Sequence, residues 1–354
     1  MSFNHKIILV FGGAGFIGSN FIRSILAKYS KTKIVNFDKL TYSGNLDNLK
    51  DVSKDRRYCL VKGDVANSKQ IAAVFKKYKP DFVINFAAET HVDRSIHVGA
   101  LEFVRTNVEG VFNILEAVKQ SKKVIKYVQV STDEVYGSLA LDSKKKFTET
   151  TVFAPNVPYA ATKAGGDLLC RSYFSTWGVP VVVTHCSNNY GPYQYPEKLI
   201  PFLITRMLEN KKLPMYGDGK NVRDWIYVLD HCRALELCLL NGESGEVYNI
   251  GADAEMNNLQ IAKMTLSHFK RDDSWIEFVA DRPGHDRRYA IDSSKIRKEL
   301  GWLPDHNFKK AFFDTMEWYL TNQKWIDSIR KKTGVFNPHI DLWRAHKIKN
   351  KKSS

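Results

Sequence analysis

The 354-residue sequence predicts an α/β fold, a doubly wound parallel sheet joined to a smaller α/β substrate-binding domain. Three observations carry that reading. Short β-branched or apolar runs alternate with amphipathic helical stretches over the first 190 residues, a glycine-rich turn separates the first run from the first helical stretch, and after Asn189 the pattern breaks into Pro- and Gly-punctuated chain. Strands alternating with helices give parallel βαβ units, and parallel sheets bind ligands at the carboxyl ends of their strands.

The first run, residues 6–11, leads directly into Gly12-Gly13-Ala14-Gly15-Phe16-Ile17-Gly18 and an apolar-periodic stretch to about Ala27. In such a strand, turn and helix, Gly12 permits the tight turn, Gly15 lets backbone approach a pyrophosphate, and Gly18 allows close helix packing. The helix N-terminus, with Phe16 and Ile17, offers N–H groups to the anion. The next strand, 33–37, ends at Asp38, 20 residues after Gly18. A carboxylate there accepts from an adenosine ribose diol and repels a 2′-phosphate, which favours NAD over NADP in a Rossmann-like site. Lys39 beside it keeps NADP in view.

Further strands are expected at 58–61, 82–86, 127–130 and 181–184, with helices near 70–78, 100–119 and 161–176. The strand ends place Asp64, Ala87-Ala88-Glu89 and Ser131-Thr132-Asp133-Glu134 along one edge. Beyond 190 a strand is expected at 246–250 and helices at 259–269 and 308–321. The expected division is a dinucleotide-binding domain over 1–190 to which later segments return, a mainly substrate-binding domain over 191–330, and a basic tail over 331–354.

Composition excludes several classes. With 44% apolar residues the chain can bury a large core. No apolar run reaches the roughly 18 to 20 residues that span a bilayer, and the start lacks a signal-peptide core, so a cytoplasmic protein is expected. Five scattered cysteines without a Cys-x-x-Cys pair read as reduced thiols, with no metal site. The net charge is +15, and the most concentrated basic stretches are Lys144-Lys145-Lys146 and the tail from Arg344 to Lys352, with no nucleic-acid motif attached. Solvated loop and tail charge is therefore expected, whose positive field favours capture of an anionic small molecule.

The chemistry is written in two short motifs. Tyr159-Ala-Ala-Thr-Lys163 places a phenol and an ammonium one helical turn apart, a pair suited to oxidising an alcohol. Asp133 and Glu134, which follow Thr132 and precede Tyr159 by 25 positions counted from Glu134, can remove one proton and deliver another. Together they suggest oxidation coupled to elimination.

These motifs, with residues 86–95, Ser131-Thr132-Asp133-Glu134-Val135-Tyr136-Gly137, residues 188–194, Pro196-Glu197-Lys198-Leu199, Arg223-Asp224-Trp225 and residues 282–289, resemble in order the dTDP-glucose 4,6-dehydratases of the extended short-chain dehydrogenase/reductase superfamily. The likeness covers roughly residues 6 to 330. It implies a closed redox cycle with NAD: Tyr159 takes the sugar C4 hydroxyl proton, Lys163 lowers the phenol pKa and holds the cofactor ribose, Thr132 polarises the C4 oxygen, Glu134 removes the C5 proton and Asp133 protonates the departing C6 hydroxyl. It also implies cofactor contacts at Asp64, Val65, Phe86, Ala87, Ala88, Thr106 and Asn188, besides Tyr159 and Lys163. Substrate contacts are implied at Glu89, Thr132, Asn189, Lys198, Leu199, Pro214, Tyr216, Arg223, Asn258, Arg282 and His285, with the two arginines and the histidine facing a diphosphate. The helices near 100–119 and 161–176 resemble the pair that forms a four-helix bundle between two subunits, implying a homodimer.

Two departures stand at the periphery: Phe11 where the family commonly has Thr, and His185 where it commonly has Arg. Neither is expected to touch the chemistry. A UDP-glucose 4,6-dehydratase would use the same residues, whereas an epimerase would not need Asp133 and Glu134. A non-catalytic NAD-binding sensor or scaffold is the alternative of another class.

Overall fold

The computed structural model describes residues 2–97 and 99–334. From residue 335 onward the expected basic tail lies outside the described residues. Twelve strands are described: β1 (Ile7–Phe11), β2 (Lys33–Asp38), β3 (Tyr58–Lys62), β4 (Phe82–Asn85), β5 (Lys126–Thr132), β6 (Val181–Cys186), β7 (Asn188–Tyr190), β8 (Leu213–Tyr216), β9 (Val222–Tyr227), β10 (Val247–Ile250), β11 (Glu255–Asn257) and β12 (Ile276–Val279). Seven of them form one sheet in the order β10-β6-β5-β4-β1-β2-β3, every pair parallel. The order reverses beside β1, where the crevice for a dinucleotide opens. The late strand β10 pairs with β6 and so returns to the first sheet.

Apart from the half-buried edge strand β3, the strands of the sheet are buried on both faces, so their apolar residues serve two cores by alternation. Ile8, Val10, Ile34, Ile84, Val128 and Val182 pack under the helix Phe16–Lys28 through Phe21, Ile22 and Ile25. Leu9, Phe11, Val35, Phe37, Val83 and Tyr127 face the other way, onto Ile114, Leu115, Cys170 and Tyr173. Phe11 is thus a core residue, with its ring edge-on to Phe37 at 5.4 Å. A third core lies across the crevice, where Tyr190, Leu203, Met215 and Trp225 meet Phe312, Tyr319 and Trp325 of the C-terminal helices. There β7, β9 and β11 make a small sheet and β8 pairs with β12.

The continuous helix expected over 100–119 is broken. Leu101–Val104 and Gly110–Gln120 are α-helical, and Arg105–Glu109 between them is a π-turn. The turn carries Asn107 inward, where its amide donates to the Glu89 carbonyl and to Thr162 Oγ1, each at 3.0 Å, and accepts from Glu89 N. Three hydrogen bonds, the one to Thr162 buried and the two with Glu89 part-buried, outweigh regular helix geometry, and hydrophobic periodicity carries no trace of them. The helix Pro158–Trp177 begins with proline at its first position, where no N–H is required, and ends at Gly178 in the left-handed region at φ 65°.

Candidate active site

The carboxyl ends of β1 to β6 converge on three adjoining cavities. The first is lined by Gly12, Gly15, Asp38, Asp64, Val65, Phe86, Ala87, Ala88, Glu89 and Thr106. Gly12, at φ +73°, has room for no side chain, since a Cβ would stand 2.5 Å from Ala87 N. A Cβ on Gly18 would stand 2.5 Å from the Gly12 carbonyl, which is the close helix packing the sequence called for. At Gly15 the nearest atom lies at 3.4 Å. Internal packing therefore does not require glycine there; the space lies before a helix start that has no side-chain cap. Such a cradle fits a pyrophosphate.

Asp38 is buried and accepts from Ala14 N at 2.8 Å and Leu40 N at 2.7 Å. Burial pushes its carboxyl up, and these two N–H groups oppose the shift. Lys39, the residue that kept NADP in view, is held by Asp64 at 2.7 Å. A cation so occupied is a poor receiver for a 2′-phosphate.

The second cavity, about 250 Å³, continues from the first past Phe16, Ile17 and Gly18 to Thr132, Asp133, Glu134, Tyr159, Lys163, Asn188 and Asn189. Thr132 ends β5 and caps a single 3₁₀ turn, Asp133–Tyr136, by accepting from Glu134 N at 3.3 Å. Lys163 Nζ donates to the Val130 carbonyl at 2.8 Å, tying the helix of Tyr159 to the same strand. Asp133 is 2% exposed and its Oδ2 is buried without a hydrogen-bond partner.

The electrostatics separate the two carboxyls. Burial, then the charges of Glu134 and Asp224, push Asp133 well above the ordinary carboxylate range. Glu134 is also raised by burial, but the cations of Arg282, Arg223 and Lys198 all pull it back. The arrangement suits Asp133 as the acid and Glu134 as the base. Within the protein alone, burial and then Glu134 push the Tyr159 phenol up, opposed by a hydrogen bond with Thr132. Burial lowers the Lys163 pKa, with Asp167 acting against it.

The third cavity shares Asn188 and Lys198 with the second and is lined further by Leu199, Pro214, Tyr216, Arg223, Asn258, Arg282 and His285. Arg223 is buried over the Tyr289 ring at 4.2 Å and donates to the carbonyls of Val222 and Asp286. Arg282 lies 3.3 Å from Asp93, and its Nε is buried without a partner. His285 Nδ1 is 2.6 Å from Asp281, yet burial and repulsion by Arg282 and Arg223 bring its pKa down to about 4. It is therefore neutral at neutral pH, with its one N–H donated to Asp281 and Nε2 left as an acceptor, and brings no charge to the cavity. Glu89, expected on the sugar side, stands on the rim of the first cavity.

Sequence reasoning passed over the walls that join these cavities. Tyr42 donates to Glu197 at 3.2 Å and lies under the Arg94 guanidinium at 4.0 Å, while His91 approaches Glu197 at 3.4 Å. His91, Arg94 and Glu197 stood inside the motifs at 86–95 and 196–199, which were the available signal; Tyr42 sits in a loop with no pattern of its own. Among the described residues, no cluster of three or more His, Cys, Asp or Glu is arranged to hold a metal, and no helix is long and apolar enough to cross a membrane.

Comparison with known proteins agrees with this geometry. The family described as GDP-mannose 4,6 dehydratase matches residues 9–315. The dTDP-glucose 4,6-dehydratase of Xanthomonas campestris pv. campestris (strain B100) is 46% identical over 338 residues, 91% of this chain and 95% of that protein. The chain belongs to the dTDP-glucose 4,6-dehydratase family. Among solved structures, the dTDP-glucose 4,6-dehydratase of Bacillus anthracis str. Ames in complex with NAD matches with a TM-score of 0.86 at 46% identity, over 92% of this chain and 99% of that one. The UDP-glucose 4-epimerase of Thermotoga maritima shares the fold at a TM-score of 0.82 but only 26% identity, over 90% of this chain and 99% of that one. Within a fold common to epimerases and dehydratases, the sequence falls on the dehydratase side.

Proposed function

We propose that the protein is an NAD-dependent hydro-lyase that converts dTDP-glucose to dTDP-4-keto-6-deoxyglucose and water. The observation that carries this reading is the meeting, in one cavity, of Tyr159 and Lys163 with Asp133 and Glu134. The glycine cradle and Asp38 would hold NAD, which when bound supplies the acceptor for the hydrogen leaving C4 and the donor for C6. Tyr159 takes the C4 hydroxyl proton while Thr132 hydrogen-bonds the same oxygen. The ketone acidifies C5–H, Glu134 removes that proton, and Asp133, kept protonated by burial, gives one to the C6 hydroxyl as water leaves. Arg223 and Arg282 hold the diphosphate and, by their charge, favour the ionised form of Glu134 against its burial.

Turnover of dTDP-glucose and UDP-glucose side by side, read as alkali-induced absorbance of the 4-keto product, tests the reading. Product from dTDP-glucose without added NAD is expected; product from UDP-glucose alone would move the assignment to the uridine sugar. We further infer a homodimer, because the helices Leu101–Val104, Gly110–Gln120 and Pro158–Trp177 expose Leu101, Val104, Phe112, Leu168 and Trp177. Sedimentation of the purified protein as a monomer at micromolar concentration would count against it.

A further inference from the structure

Asp167 follows Lys163 by four residues, so the two stand on one face of the helix Pro158–Trp177. Its carboxylate is buried, at 4% exposure. Oδ2 accepts from Ser131 Oγ at 2.6 Å and lies 3.2 Å from His185 Nε2, while Oδ1 is buried with no hydrogen-bond partner. Ser131 immediately precedes Thr132 on β5, so Asp167 links the strand that leads into Thr132, Asp133 and Glu134 to the helix that carries Tyr159 and Lys163.

The protons in this network follow by elimination. The Phe147 carbonyl only accepts, so the part of Asn249 that faces it at 3.1 Å is the amide NH₂. Asn249 Oδ1 then faces Tyr136 at 2.9 Å and accepts its hydroxyl proton. With that proton committed, the Tyr136 oxygen accepts from His185 Nδ1 at 2.6 Å, which fixes a hydrogen on Nδ1. A neutral His185 would then aim a bare Nε2 lone pair at Asp167 Oδ2. A hydrogen must lie between them, and Oδ2 already serves as the acceptor for Ser131 Oγ, so Nε2 is the atom that carries it and donates.

We propose that His185 is a buried imidazolium paired with Asp167, and that the pair is a positioning device for the reaction, holding the end of β5 at a fixed distance from the helix of Tyr159 and Lys163. The proposal rests on the reading that Thr132 and Tyr159 act on one substrate oxygen. The charged and titratable groups around the pair are Lys163, Cys170 and Arg171 on the same helix, Arg171 lining the cleft that the pair borders, Tyr127 and Tyr136 from the sheet side, and Glu149, which accepts from Asn249 N at 2.9 Å. None of these replaces the histidine at contact distance. Without its cation, the Asp167 carboxylate is left buried and uncompensated, and it draws the Lys163 ammonium, which already feels its charge, away from Val130. Alignment at Thr132 and Tyr159 then suffers, whereas the nucleotide is held by residues of the third cavity. The signature is a loss of rate without a loss of binding.

Two measurements on the NAD-loaded enzyme decide this. In ¹⁵N-histidine-labelled protein at about pH 7.5, with the His185 signals assigned by their loss in His185→Leu, both ring nitrogens are expected to be protonated; a bare nitrogen would overturn the pair. In rapid mixing with dTDP-glucose, His185→Leu is expected to slow the appearance of reduced nicotinamide by about 10-fold or more with KM changed by less than about 2-fold. His185→Arg keeps the cation and has room in the cleft that His185 and Asp167 border; it should recover to within about 3-fold of the native rate. His185→Gln takes the place of leucine if that variant fails to fold. An arginine variant as slow as the neutral one, a neutral variant as fast as the native enzyme, or a change confined to KM would each refute the positioning role. Absence of turnover in the native enzyme would count against the dehydratase reading alone, and the nitrogen signals would then decide the pair.

Discussion

The cofactor end and the reacting end of the crevice are built on opposite principles. At the cofactor end the protein satisfies its own groups: Asp38 accepts two backbone N–H groups, Lys39 is paired with Asp64, and Gly12 and Gly18 are closed by backbone contacts. At the reacting end, polar atoms are buried and unpaired, among them Asp133 Oδ2, Asn188 Oδ1 and Arg282 Nε. An orphaned buried polar group is destabilising by about 1–3 kcal/mol, so such a cluster is tolerated where a ligand completes it. The first region is a finished receptacle and the second is completed by the substrate. This matches a catalyst that keeps its NAD and exchanges only its sugar nucleotide.

The largest expected effect lies at the reacting end. Asp133→Asn combined with Glu134→Gln should lower dehydration by roughly 10²- to 10⁴-fold, since an amide neither takes the C5 proton nor protonates the C6 hydroxyl. The first hydrogen transfer should survive, so absorbance of reduced nicotinamide should rise on mixing with dTDP-glucose and then stall. Tyr159→Phe should abolish that rise. A double amide variant that still dehydrates at near the native rate would refute the division of labour and leave the family assignment standing.

The two glycines sharpen the comparison at the cofactor end. Gly12→Ala forces a side chain onto a left-handed residue and into the Ala87 backbone, so a stability loss of about 1–3 kcal/mol is expected. Gly15→Ala meets only ordinary contacts and should shift Tm by less than about 2 °C, yet it fills the cradle and should weaken NAD retention by roughly 10-fold or more. Equal loss of stability in both variants would mean that Gly15 is structural.

How far the sequence alone reached follows the same division. The βα alternation, the glycine turn and Asp38 were legible because period and spacing encode them, and β10 was legible as a strand. That later segments return to the first domain was expected, but which segment returns and beside which strand rests on pairing between Val247 and Val183, 64 positions apart, which local pattern does not carry. The π-turn at Asn107 and the Tyr42–Glu197 wall were equally hidden, since each depends on a partner distant in sequence. The site residues were named from motifs. Their sorting into an acid and a base rests on the three cations around Glu134 and the closed pocket around Asp133, which only packing supplies.

That sorting gives a pH prediction with a definite sign. Arg282 lowers the Glu134 pKa, and a base must be ionised to act, so activity is lost as pH falls through the pKa of Glu134. Arg282→Gln removes the lowering influence and should move the acid limb of kcat to higher pH. The profile of kcat, rather than of kcat/KM, is the measurement, because the same substitution is expected also to weaken diphosphate binding. An acid limb that stays in place or moves to lower pH would show that the arginine does not act on the base.

The smallest effect is expected at Lys39. Its ammonium reaches Asp64 at 2.7 Å, but the side chains are 45% and 28% exposed, a pair in reach of solvent. Such pairs contribute about 0–1 kcal/mol, so Lys39→Met should change NAD retention by less than about 5-fold. The informative readout is the ratio of NAD to NADP bound by protein stripped of nucleotide and reloaded. Asp38 lines the first cavity with both its oxygens already fixed by backbone, so the preference for NAD should be the same in the variant as in the native chain. If Lys39→Met instead lost a measurable affinity for NADP, the lysine would be a free phosphate receiver and the cofactor end would not be as closed as its hydrogen bonds describe.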